Sequence, residues 1–258
     1  MNYSVEFIAS LSFVYIASIL WVAAKLLKLN VPVVYGRHES GEYKLRIPTR
    51  LSWVLMEAPA SLVFAWFIFT GPLGLSVPVI ALFVMWQLHY FHRAFIYPFQ
   101  LQVRPGSTTP LRMTLSGALL CTACGYLNGD FIATYASHLQ SNAWLSSPAF
   151  IIGSLMFFAG YALNKISDAE LMRLRKENPD AYSVPFGRGY RWVSCPNYLG
   201  ELITWFGFAI AAWSPAGLAF ALMTASNLIL RALENHQWYH DKFADYPKDR
   251  KAIIPFIL

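Results

Sequence analysis

Long apolar runs alternate with shorter polar, basic segments along the chain. A helix needs about 20 mostly apolar residues to cross a hydrocarbon core about 30 Å thick. Seven runs reach or approach that length, at about 5–26, 52–70, 77–99, 112–137, 148–170, 198–213 and 215–240. The pattern predicts an all-α integral membrane protein with seven transmembrane helices. Ser214-Pro215 predicts a tight turn between the last two. Residues 1–258 read as one seven-helix membrane domain, without internal repeats or low-complexity tracts. The expected loops on one side are about 27–51, 100–111 and 171–197, with a tail at 241–258. The loops at 27–51 and 171–197 are rich in Gly, Pro, Tyr and charge, and loops of that length are often functional. No basic segment precedes the first run, so it is expected to be a retained anchor rather than a cleaved signal.

Charge then orients the spans. All 20 Lys and Arg residues fall in four clusters, Lys25 to Arg50, Arg93 to Arg112, Lys165 to Arg191 and Arg231 to Lys251. Between consecutive clusters there is room for two crossings and a short loop without a cation. The positive-inside rule therefore predicts the N-terminus outside and the C-terminus cytosolic. The chain is 56% hydrophobic and only 13% charged, against about 25% charged for soluble domains. The net charge of +6 sits beside apolar spans, which suits an anionic lipid leaflet rather than nucleic acid. Membrane lipids are the expected surroundings, and no obligate protein partner is indicated. A bacterial inner membrane and the endoplasmic reticulum membrane both fit. Cys121, Cys124 and Cys195 match no disulfide framework and read as small packing residues.

Ionisable groups inside spans are costly, so each is a functional candidate. Glu57 lies in the second run, and Leu88-His89-Tyr90-Phe91-His92-Arg93 lies in the third, which runs the other way. At 1.5 Å per residue, Glu57 and Tyr90 are expected at the same depth. Asn164 and Asp168 lie one turn apart, as do Asn197 and Glu201, and Arg231, Asn235, His236 and Tyr239 close the seventh run. All these groups converge on the cytosolic half. The expected pocket is polar at a cytosolic mouth, suited to a phosphate-bearing cofactor, and apolar deeper down, suited to a lipid-like substrate with one polar handle. A Tyr hydroxyl supported by a protonated Glu can donate to a carbonyl oxygen and stabilise an enolate. An enone polarised in that way accepts hydride at its β-carbon, and the hydride must come from a cofactor.

At these residues the chain resembles the steroid 5α-reductase family, over nearly its whole length. Tyr35-Gly36-Arg37-His38 is similar to the family's Tyr-Gly-Lys/Arg-His loop. Glu57 with Pro59 and Ser61 resembles Gln-Glu-Leu-Pro-Ser, with Met56 in place of Gln and Ala58 in place of Leu. Leu88 to Arg93 followed by Tyr97 matches His-Tyr-x-His-Arg and its Tyr. Asn164-x-x-Ser167-Asp168 with Leu174-Arg175-Lys176, and Asn197-Tyr198-Leu199-Gly200-Glu201, match two further motifs. So does the tail from Trp238-Tyr239 through Tyr246-Pro247-Lys248 to Ile254-Pro255-Phe256.

The resemblance implies an NADPH-dependent reductase of Δ4-3-ketosteroids. It implies that Glu57 and Tyr90 bind the C3 carbonyl while hydride reaches C5. It further implies that Asn164, Asp168, Arg175, Tyr182, Asn197, Glu201 and Tyr239 line the cofactor, with Arg93, Tyr97 and Arg104 nearby. No Gly-x-Gly-x-x-Gly fingerprint is present, so a Rossmann unit is not expected. Ser183 stands where the family carries Arg, and Asn235-His236 stands where relatives carry His-His. Asn235 can still donate to the cofactor but cannot become cationic.

Each residue also has a plainer reading. Glu57 could bond between helices, Tyr90 could be an interfacial aromatic, and Asp168 with Arg175 could pair across a helix end. His89 and His92 read as packing rather than metal ligands. Trp53, Phe91 and Phe95 are candidate walls of the substrate cavity. Rival functions are a reductase of an enoyl thioester or polyprenol, and a membrane methyltransferase using S-adenosylmethionine, which needs no carbonyl clamp. A transporter predicts inverted repeats and polar residues at both faces, and the sequence has neither.

Overall fold

The computed structural model describes residues 3–26, 43–179 and 181–258. The Tyr35-Gly36-Arg37-His38 motif lies outside the described residues. The helices are α1 (Val5–Leu26), α2 (Thr49–Thr70), α3 (Val77–Phe91), α4 (Tyr97–Gln100), α5 (Leu111–Asp130), α6 (Pro148–Glu177), α7 (Pro196–Ala212) and α8 (Pro215–Lys242). A π turn at His92–Ile96 joins α3 to α4, and a second at Phe131–Tyr135 follows α5. Each predicted run thus contains a helix. Among the described residues, four stretches are long and apolar enough to cross a membrane: α2, Val77–Gln100, α6 and α8. Helix α7 has 17 residues, about 25 Å at helical rise, and α5 is diluted by Arg112, Asn128, Asp130 and several small polar residues.

Local sequence sets the helix ends. Ser76, Ser147 and Ser214 cap α3, α6 and α8, each accepting a bond from a backbone N–H in the first turn, and a proline follows within two residues. Helix α6 continues beyond the predicted end near 170 to Glu177. Arg173 holds that extension by bonding Glu170 at 2.7 Å and Glu177 at 2.6 Å. The expected 171–197 loop therefore starts one and a half to two turns later.

Inside lipid, helices gain little from apolar burial against each other, so close backbone approach and hydrogen bonds hold them together. Helices α6 and α7 meet through Gly153, Gly160, Gly200 and Gly207. A Cβ at Gly160 would lie 2.5 Å from Thr204 N, and one at Gly200 would lie 2.5 Å from Asn164 N. Helices α2 and α3 are pinned antiparallel. Trp86 Nε1 donates to Ala60 O at 2.9 Å, Gln87 Nε2 donates to Ser61 O at 3.0 Å, and Ser61 Oγ donates to Gln87 Oε1 at 2.6 Å. That register continues to Glu57 opposite Tyr90. Helix α5 lies along α2, with Met56 seated on Gly117 and Ala60 on Gly125. Trp86, Trp205, Phe64, Phe208 and Phe220 fill the centre.

Two short elements close the basic end. Strand β1 (Arg46–Pro48) pairs antiparallel with β2 (Thr108–Pro110) immediately before α2 and α5. The tail returns to the 192–195 segment, where Lys251 N donates to Trp192 O at 2.9 Å and Cys195 N donates to Ala252 O at 3.1 Å. Tyr190 is buried there and donates to Ser167 O at 3.2 Å. Burial pushes its phenol up, so the donor persists across the ordinary pH range.

Candidate active site

Glu57 is 9% exposed and Tyr90 5% exposed, so both side chains face the bundle interior rather than lipid. The Tyr90 ring is boxed by Trp86 at 4.9 Å, Trp205 at 5.4 Å and His89 at 5.2 Å between centroids. Its hydroxyl makes no hydrogen bond among the described residues, and its charged neighbours are Glu57 and Glu201. Glu57 is held from two sides. Arg93 Nε lies 3.5 Å from Oε1, and the Cys121 thiol donates to Oε2 at 3.7 Å. This buried phenol has its donor unspent and an acid at its level.

Arg93 joins that acid to a second polar group. Its Nη1 lies 3.9 Å from Glu201 Oε2, and its guanidinium stacks over Trp53 at 5.1 Å and Tyr97 at 5.4 Å. The π turn at His92–Ile96 carries Arg93 at the site, as π turns often do at functional positions. Glu201 also faces His89 Nε2 at 3.5 Å and accepts from Asn164 Nδ2 at 3.3 Å. Asn164 donates to Asn197 O at 3.0 Å, and Asn197 Nδ2 donates to Asp168 Oδ1 at 3.0 Å. The glycine seam between α6 and α7 brings these four residues within bonding distance. Asn164 Oδ1 and His89 Nδ1 are buried without a hydrogen-bond partner among the described residues.

The remaining candidates lie farther along the basic end. Arg175 donates to Pro179 O at 3.2 Å and stacks over Tyr182 at 4.6 Å, and Tyr182 packs on Trp238 at 5.1 Å. Tyr239 is buried and stacks on Tyr246 at 5.2 Å. Asn235, also buried, donates to Cys195 Sγ at 3.8 Å. Ser183 accepts from Asn178 Nδ2 at 3.2 Å. Arg104 lines a cleft beside the β1–β2 pair. Trp53 packs edge-on against Tyr97 at 5.5 Å, close to Arg93. Phe91 is 53% exposed and packs on Phe95, away from the Tyr90 box.

Sequence reasoning did not place Cys121 or Lys165 at the site. Nothing along α5 announces that Cys121 reaches Glu57, because the α2–α5 packing that brings them together is tertiary. Lys165 was findable, as an ionisable residue inside a span. Its Nζ lies 3.2 Å from His92 Nδ1 and 5.2 Å from the Tyr161 ring centroid.

The donors and acceptors here suit a nicotinamide dinucleotide. Asn164, Asn197, Asp168 and Glu201 offer amide and carboxylate groups for a carboxamide and ribose, and one buried amide oxygen, Asn164 Oδ1, has no donor among the described residues. Arg175 over Tyr182 offers a cation and an aromatic face for a phosphate and a base.

Comparisons with known proteins identify the family. A profile described as 3-oxo-5-alpha-steroid 4-dehydrogenase matches residues 107–258. The chain is 38% identical over 227 residues to 3-oxo-5-alpha-steroid 4-dehydrogenase 1 of Macaca fascicularis, covering 87% of this chain and 85% of that one. It is 37% identical to 3-oxo-5-alpha-steroid 4-dehydrogenase 2 of Homo sapiens, over 93% of this chain and 94% of that one. It is also 37% identical to Steroid 5-alpha-reductase DET2 of Arabidopsis thaliana, over 91% and 90%. With its mostly helical fold, its apolar membrane-length helices and this extent of identity, the chain belongs to the 3-oxo-5-alpha-steroid 4-dehydrogenase family of oxidoreductases.

Proposed function

We propose that this protein reduces the Δ4 double bond of 3-oxo-Δ4-steroids to 5α-dihydro-3-oxosteroids with NADPH as reductant. The observation that carries the reading is the Tyr90 hydroxyl, buried and without a hydrogen-bond partner among the described residues, level with Glu57 on the antiparallel neighbouring helix. Seven helices cross the bilayer in this reading, with the N-terminus outside and the basic loops and C-terminus cytosolic. The site opens toward the cytosol, where the dinucleotide is available.

Tyr90 donates its hydroxyl to the C3 carbonyl oxygen. Glu57 in its acid form supplies a second donor. Beside Arg93 the carboxyl is an acceptor, so the reading requires Glu57 to take up a proton when substrate binds. With the oxygen held, electron density leaves the C4=C5 bond toward C3, and C5 becomes electrophilic. The bound cofactor supplies hydride to C5. The enolate oxygen is then stabilised by the same two donors, and a proton taken up from water adds to C4 to complete the saturated ketone. Asn164, Asn197, Asp168 and Glu201 orient the nicotinamide end, Arg93 and Tyr97 link it to the substrate end, and Arg175, Tyr182, Asn235 and Tyr239 hold the adenosine end. Arg104 adds a cation at the rim. Trp53 and the Tyr90 box exclude water from the reacting carbons, and Phe91 guards the lipid-side approach.

The test uses purified protein, testosterone and NADPH. The reading predicts loss of nicotinamide absorbance and a saturated product of 5α configuration by NMR. A 3-hydroxy product, or turnover only with an enoyl thioester or polyprenol, would replace the steroid reading.

A further inference from the structure

Two cations stand where α3 and its π turn face α6: Arg93 and Lys165. Arg93 is engaged by acids, with Nε 3.5 Å from Glu57 Oε1 and Nη1 3.9 Å from Glu201 Oε2. Lys165 is half-buried and forms no ion pair among the described residues. Its Nζ donates to His92 Nδ1 at 3.2 Å, and it lies 5.2 Å from the Tyr161 ring centroid and 6.0 Å from that of Tyr97. An ammonium carries three N–H donors, so two are left without a partner among the described residues. The charged groups that act on it are Arg93, Asp168, Glu201 and Glu57, the residues that build the site.

The local structure aims this ammonium without neutralising it. Helix α6 carries Tyr161, Lys165 and Asp168 on one face by their spacing of four and three. The Tyr161 hydroxyl donates to Leu88 O at 3.3 Å, which fixes its ring against α3. His92 opens the π turn. To accept at Nδ1 from an ammonium, its ring must be neutral with the proton on Nε2. A cation inside a span is costly unless an anion meets it. Three carboxylates stand nearby, yet Glu57 and Glu201 share Arg93, and Asp168 accepts from Asn197 at 3.0 Å. An anionic ligand entering here passes those three acids and requires a cation that they do not hold.

We propose that Lys165 binds the pyrophosphate of the nicotinamide dinucleotide through its ammonium, an inference that rests on the reductase reading above. Lysine serves phosphates as a compact point charge on a flexible stem. The order of groups along the site selects the pyrophosphate. Asn164, Asn197, Asp168 and Glu201 take the nicotinamide and its ribose in that reading. Arg175 lies ten residues farther along α6, roughly 15 Å at helical rise, and takes the adenosine end. The anion next to the nicotinamide ribose is the pyrophosphate, and Lys165 is the cation beside the residues that hold that ribose. His92 is then a positioning residue, which holds the ammonium through Nδ1.

The test is a titration of the full chain in detergent with NADPH and with NADH, read by energy transfer from tryptophan to the nicotinamide. Lys165→Met keeps the length of the stem and its packing against Tyr97 and Tyr161, and it removes the charge. Both nucleotides carry the pyrophosphate, so Kd should rise for both by the same factor, roughly 10- to 100-fold. Lys165→Arg, which keeps the charge, should recover most of that loss. Wild-type binding with an unchanged Kd in Lys165→Met overturns this inference alone, and a lower Tm in that case leaves Lys165 as a strut between α3 and α6. A loss confined to NADPH also overturns it, because the contact would then be the 2′-phosphate. If wild type binds neither nucleotide, the reductase reading fails and this inference with it. Should Lys165→Met not fold, Lys165→Gln, which keeps a donor for His92, carries the same expectation.

Discussion

Tyr90→Phe isolates one hydroxyl. The ring stays in place, packed on Trp86, Trp205 and His89, so the variant keeps the aromatic box. The lost hydroxyl has no partner among the described residues, so no hydrogen bond within the site is broken. Fold stability should therefore change by no more than about 1 kcal/mol. Turnover is a different matter. A single donor aimed at a developing oxyanion is worth roughly 10² to 10³ in rate, about 2.7–4 kcal/mol. We expect kcat for steroid reduction to fall by that factor while NADPH affinity, measured by fluorescence quenching, stays within about twofold. Thermal unfolding in detergent serves as the folding control. Near-normal kcat in a folded variant would remove Tyr90 from the chemistry. Equal loss of NADPH affinity would reassign it to the cofactor side.

Three further perturbations address the rest of the site. Glu57→Ala should lower kcat by about 10², whereas Glu57→Gln, a permanent donor, should retain more turnover and lose any pH dependence tied to proton uptake; equal activity in both variants would contradict the donor role. Arg175→Ala should raise KM for NADPH more than for NADH if its guanidinium reads the 2′-phosphate, and an equal effect on both would assign it to the pyrophosphate or to structure. Gly160→Ala should cost roughly 1–3 kcal/mol of stability, because the new methyl meets α7 backbone at 2.5 Å; it should also slow turnover by separating Asn164 from Glu201, and unchanged stability would show that the seam can open.

The succession of helices was readable because hydropathy acts locally. Every predicted run contains a helix, and Ser-Pro pairs at 147–148 and 214–215 mark two of the starts. The run beyond Leu171 was harder to read. Its helix is held by Arg173 with Glu170 and Glu177, a polar surface that resembles a loop in a hydropathy reading. The three-residue strands were not legible, because three residues are too few to show a period and the pairing of Arg46–Pro48 with Thr108–Pro110 spans about 62 residues. The level placement of Glu57 and Tyr90 followed from helical rise alone, and the Trp86–Ala60 and Gln87–Ser61 bonds supply its register. Arg93 was read as a cofactor residue, yet the π turn sets it against Glu57 as well as Glu201. A regular helical projection does not anticipate a one-residue insertion.

The most direct measurement follows the hydride. Testosterone is incubated with the purified protein and NADPH carrying deuterium at the transferable position, and the product is read by NMR. The account predicts one deuterium at C5 in the 5α configuration and an intact C3 ketone. Deuterium at C3, or a product without label, would contradict it.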